Sequence, residues 1–120
     1  MNKIYILVHS WLAPANRAVQ AAHVVQGWAA AEKDMHIILL ETGKSQPQDD
    51  LKTSIHVCAR LNKYAVEGTE IPTKHFTESK ECNGGQITAV GFILDPNETT
   101  PESTNNKSML LHLSKFRLAS

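Results

Sequence analysis

Dense apolar runs alternate with spaced ones along this chain. Ile4, Tyr5, Ile6, Leu7 and Val8 are consecutive and partly β-branched. That pattern predicts a strand from Lys3 to His9 with both faces buried. Pro14 suits the first turn of a helix. Beyond it Ala18, Ala22, Val25 and Ala29 recur at helical spacing, with Ala21 and Trp28 beside them. So many small side chains predict a thin helix that lies close on a sheet and ends near Lys33-Asp34. Met35 to Glu41, apolar at Ile37, Ile38, Leu39 and Leu40, reads as a second buried strand. Gly43 to Gln46 is a turn. Pro47, Asp49 and Asp50 then mark a helix start, where acids suit the positive pole. Leu51, Ile55, Cys58, Leu61 and Ala65 line one face of that helix, and Gly68 is its expected stop.

Ile71 to Glu78 alternates and contains Pro72, which places it near a sheet edge. Glu81 to Gly85 is rich in turn formers, and Gln86 to Leu94 is the last clear strand. Asp95 to Asn106 is polar, has no apolar stripe and is expected to be mobile. A short helix around Lys107 to Leu113 is expected to bury Met109, Leu110 and Leu113, with Phe116 and Leu118 anchoring the tail. The order β-α-β-α-β-β-α predicts an α/β fold: a mixed four-stranded sheet with helices packed on both faces.

The chain's 120 residues suit one domain spanning 1–120. Twelve basic residues balance twelve acidic ones. Zero net charge argues against a broadly basic nucleic-acid binder and leaves room only for a local patch. The one basic stripe, Lys52, His56, Arg60 and Lys63, lies opposite the apolar face of the second helix and reads as solvated. Cys58 and Cys82 show no metal or redox spacing, which suits reduced cytoplasmic thiols, Cys58 in the core and Cys82 in a loop. Ala13-Pro14-Ala15 mimics a cleavage site, but the apolar run before it is too short for a signal segment. No run reaches transmembrane length. A cytoplasmic chain without membrane contact is therefore expected. The six histidines include no pair at ligand spacing, so no metal is expected, and with no P-loop or GxGxxG no cofactor is expected either.

Candidate chemistry comes from the stretch Ile6 to His23. An apolar strand is followed by Leu12, and a helix then carries Ala18, Gln20 and His23. This arrangement resembles the opening of the type 2 peptidyl-tRNA hydrolases: a strand, Arg-x-Asp-Leu, a loop, and a helix with a lysine near its start and an Ala-x-Gln-x-x-His core. Ile87-Thr88-Ala89-Val90-Gly91 is similar to that family's threonine-bearing last strand, Phe76-Thr77-Glu78 to the segment before its acidic turn, and Ser114 to Ala119 to its C-terminal end. The resemblance implies the family's α/β fold. It also implies a cleft for tRNA or a small nucleotide and an ester-hydrolysing activity on peptidyl-tRNA.

The departures fall on the chemistry. His9 stands where the family has arginine, Trp11 where it has aspartate, and Asn16, with Arg17 beside it, where it has lysine. Ester hydrolysis needs an activated water, a stabilised oxyanion and a hold on phosphates. The replacement catalytic set is His9, Arg17, Glu78 and Thr88, and the ligand-binding set is Trp11, Asn16 and Arg17. Two readings of His9 stand, a general base and a solvated or hydrogen-bonded loop histidine. Two readings of Trp11 also stand, a stacking platform for a base and a plug over the sheet edge. Gln20 and His23 are expected to be buried and hydrogen-bonded. The expected function is a non-catalytic binding module for a nucleotide, an RNA end or a protein partner. The alternative is an active esterase on peptidyl-tRNA or a related aminoacyl ester. A homodimer is compatible with either.

Overall fold

The computed structural model describes residues 2–26, 28, 36–80, 83–96 and 104–119. Their elements run β1 (Lys3–Val8), α1 (Pro14–Gln26), β2 (His36–Glu41), α2 (Pro47–Lys63), β3 (Thr73–Thr77), a 3₁₀ turn at Asn83–Gly85, β4 (Ile87–Leu94), α3 (Thr104–Leu113) and β5 (Arg117–Leu118). The expected last third of α1, the polar stretch 97–103 and Cys82 lie outside the described residues.

The sheet has five strands in the order β3-β4-β1-β2-β5. Among the described residues only β1 and β2 pair in parallel; the other pairs are antiparallel. The expected four strands are thus corrected to five. The extra one is a two-residue edge strand that sets Leu118 opposite Leu40 and Arg117 opposite Glu41. It is too short to show an alternation in the sequence. β1 sits at the centre, as its unbroken apolar run demands. Ile4, Ile6 and Val8 pack with Val24, Ala89 and Ile93 on the α1 side. Leu7 packs with Leu51, Cys58, Phe92, Met109 and Leu113 on the side covered by α2 and α3. β3 is the opposite edge, and Phe76 is its one residue that is not exposed.

Two helices depart from the expected pattern. In α1 the buried residues are Gln20 and Val24, flanked by Ala21, Val25 and Trp28, while Ala18 and Ala22 are exposed. An alanine methyl loses little when wetted, so the bulkier Val24 and Trp28 decide which face turns inward. They reach Gly91 on β4, where an added Cβ would stand 2.7 Å from Val24 and 2.9 Å from Trp28. α2 ends at Lys63 rather than at Gly68. The Asn62 amide exchanges hydrogen bonds with the backbone of Ile71, donating at 3.0 Å and accepting at 2.7 Å. That exchange draws the chain off the helix axis. Gly68, with φ of 87°, serves the following turn instead.

Candidate functional site

The polar groups gather at the carboxyl ends of the parallel pair β1 and β2, where open α/β sheets present their crevices. The turn after β1 is tied to the turn after β2. Ser10 N–H donates to Thr42 Oγ1 at 3.0 Å, and Ser10 Oγ donates to the Gly43 carbonyl at 3.3 Å. Trp11 is carried on this tie and is 69% exposed. Its indole N–H donates to the Lys44 carbonyl at 2.9 Å, so the ring is oriented while its face stays open to solvent.

His9 is buried beside it, its backbone N–H on the Thr88 carbonyl at 2.9 Å. The Trp11 backbone N–H donates to His9 Nδ1 at 3.2 Å. Burial lowers the His9 pKa below its usual value, which keeps the ring neutral. With Nδ1 holding a lone pair, the proton of a neutral ring sits on Nε2. His9 therefore offers a donor rather than a proton acceptor. The His9 and Trp11 rings meet edge to face, 6.0 Å apart. Together they line a pocket of about 230 Å³ with Gln46, Gln48, Asp49 and Gln86. Gln48 is fixed by donating its amide to the Ile87 carbonyl.

Thr88 and Glu78 meet through a third residue. Thr88 Oγ1 donates to Gln20 Oε1 at 3.0 Å, and Gln20 Nε2 donates to Glu78 Oε2 at 2.9 Å. A one-residue slip in the pairing of β3 with β4 makes this possible: Phe76 faces Ala89 but Thr77 faces Ile87. The extra residue is Thr88, and such a bulge re-aims a side chain. It turns Thr88 toward α1 while Ile87 packs on the opposite face.

Arg17 does not join this set. Its Nε donates to the Leu12 carbonyl at 2.9 Å, its Nη2 to the Ser10 carbonyl at 2.8 Å, and its Nη1 to Glu41 Oε2 at 3.1 Å. Glu41 is buried, and its other oxygen accepts from Arg117 Nε. Arg17 thus braces the turn after β1 against the end of β2. Asn16 is exposed on the first turn of α1. His23 corrects an expectation: it is exposed on α1 and stacks on Phe76, with ring centroids 4.4 Å apart. The expected burial holds for Gln20 alone, because the face that carries Gln20 inward turns His23 out. Glu41 had escaped sequence reasoning. The available signal was an acid directly continuing a buried apolar run.

A second, larger concavity of about 580 Å³ lies past the end of β2, beside the first residues of α2 and the segment Lys115 to Arg117. Among the described residues no group of three or more His, Cys, Asp or Glu is placed to hold a metal ion. No described helix is long and apolar enough to cross a membrane.

No family model matches this chain, and no curated protein matches it. What its geometry defines is a mixed α/β protein with a five-stranded sheet and three described helices. The fold is shared with a solved structure of a protein of unknown function from Agrobacterium tumefaciens strain C58. The two chains are 10% identical with a TM-score of 0.64, over 99% of this chain and 98% of that one.

Proposed function

We propose that this chain is a divergent protein of the type 2 peptidyl-tRNA hydrolase kind that binds rather than cuts, holding a nucleotide or an RNA end by its base. The observation that carries this reading is the open face of Trp11 beside a His9 ring whose free nitrogen is a donor. Every base has a π-face, and stacking on an aromatic side chain contributes about 1–3 kcal/mol. The amides of Gln46 and Gln86 form no hydrogen bond among the described residues and stand ready for base edges, with the exposed Asp49 carboxylate as an acceptor. Two of the groups needed for hydrolysis are otherwise engaged. Arg17 is bound to Glu41 and two carbonyls, and His9 is set up to donate.

The esterase reading draws on one feature, the linked set Thr88, Gln20 and Glu78. One assay separates the two. Titration with ribonucleoside 5′-monophosphates should quench Trp11 fluorescence, and Trp11→Ala should weaken binding about 5- to 150-fold. Peptidyl-tRNA turnover should be weak or absent beside that of an active family member. Comparable turnover that disappears in His9→Ala would overturn the binding reading. So would nucleotide affinity that is unchanged in Trp11→Ala.

A further inference from the structure

We propose that the concavity past β2 is a phosphate subsite, so that the ligand is a nucleoside monophosphate with its base on Trp11 and its phosphate among Lys44, Lys115 and Arg117. This inference rests on the stacking reading above and specifies the ligand further.

The three cations come from separate segments: the turn after β2, the turn after α3, and β5. They line one concavity, large enough for a phosphate and its hydration. Two carboxylates, Glu41 and Asp50, line it as well and must be weighed against them. Glu41 is engaged from both sides, by Arg17 behind and Arg117 in front. Counting Arg17, four cations stand against two carboxylates. Asp50 also accepts the Gly43 backbone N–H at 2.8 Å, which engages one of its oxygens. The field of the concavity is therefore positive.

The donors are also available. Arg117 uses Nε on Glu41, its side chain is 71% exposed, and its two terminal nitrogens form no hydrogen bond among the described residues. That anchoring pre-orients a guanidinium fork, the geometry that matches phosphate oxygens. Lys115 stands 5.4 Å above the Phe116 ring, and neither it nor Lys44 forms an ion pair among the described residues.

What joins this concavity to the Trp11 pocket is a shared wall. The carbonyl that receives the Trp11 indole N–H belongs to Lys44, a residue that also lines the larger concavity. The first turn of α2 divides the two hollows, with Gln46 to Asp49 on the Trp11 side and Asp50 on the other. In this proposal one nucleotide spans that turn, its base on Trp11 and its phosphate among the three cations.

The test uses the full chain and three probes: the four ribonucleoside 5′-monophosphates, the matching nucleosides, and inorganic phosphate. Affinities are measured by calorimetry at low salt for the wild type and for a Lys44→Ala, Lys115→Ala double variant. Both lysines are exposed and outside the core, and circular dichroism checks that the variant is folded. We expect at least one nucleotide to bind about tenfold or more tightly than its nucleoside. We expect the double variant to lose that preference while keeping its nucleoside affinity. Equal binding of nucleotide and nucleoside by the wild type overturns the phosphate subsite and leaves the stacking reading standing. A preference undiminished in the double variant leaves Lys44 and Lys115 no part in holding the phosphate and also overturns the subsite. Binding of inorganic phosphate alone, or of no probe, overturns both.

Discussion

Glu41 is the residue on which several segments depend. It ends a buried strand, and its carboxylate joins Arg17 on α1 to Arg117 on β5. The two arginines are not equivalent. The Arg17 side chain is 13% exposed and holds two turn carbonyls as well, whereas that of Arg117 is 71% exposed. Removing one partner of a buried pair costs about 3–5 kcal/mol, while an exposed pair contributes about 0–1 kcal/mol. Arg17→Ala should therefore lower stability by about 3 kcal/mol, the lower end because Arg117 still faces the carboxylate. Arg117→Ala should cost under about 1 kcal/mol. Urea unfolding of the two variants checks this, and equal losses would refute the assigned bracing role of Arg17. Gln20 supports a second polar link. Gln20→Leu leaves the buried Thr88 hydroxyl without its acceptor and should cost about 1–3 kcal/mol. Adding Thr88→Val removes the orphaned group, so a double-mutant cycle should recover part of that loss.

At the scale of elements, α1 packs closely on β4. Gly91 is required there by close approach, since a Cβ would press on Val24 and Trp28. Overpacking of this kind costs about 1–3 kcal/mol. Gly91→Ala should be destabilising by that amount, and Val24→Ala in the same chain should return some of it by vacating the 2.7 Å contact. Thermal unfolding of the two single variants and the double variant measures the coupling. Strictly additive losses would mean that the helix does not meet the sheet at this point. The bulge at Thr88 belongs to the same scale. It breaks the usual alternation, so that the consecutive residues Thr88 and Ala89 both face α1.

For the whole molecule, the two histidines with lowered pKa values link stability to pH. His9 is shifted by burial. His112 is shifted by burial and then by the charge of Lys115, with Asp50 opposing. Its Nε2 lies 2.8 Å from the Ser54 hydroxyl. A folded-state pKa below the ordinary 6.5 means that the unfolded chain binds protons first as pH falls. Stability from these two groups is therefore full above about pH 6.5 and declines as pH drops toward their folded-state values. The urea midpoint should fall between pH 7.5 and about pH 5. His9→Asn, which keeps an acceptor for the Trp11 N–H, should flatten part of that decline. An unchanged slope in both His9→Asn and His112→Asn would remove these residues from the linkage.

Several features were legible in the residues alone because their causes are local. Ile4 to Val8 has no polar position to offer solvent, so it belongs at the centre of a sheet, and β1 is there. Leu51 and Cys58 repeat at the helical period, so they form one face, and both are fully buried. Pro72 marked an edge, and β3 is an edge. Other features depend on partners distant in the chain. Which face of α1 turns inward was hidden by its alanines, which lose little on either side, until Gly91 opened room for Val24 and Trp28. Arg17 meets Glu41 across 24 positions, and Glu41 meets Arg117 across 76. No periodicity records such pairs. The sequence alone determined the apolar elements and their mixed α/β order, because burial follows from local spacing. Only the tertiary structure decided which polar groups are engaged and which face solvent, because that depends on which distant segments meet at the ends of β1 and β2.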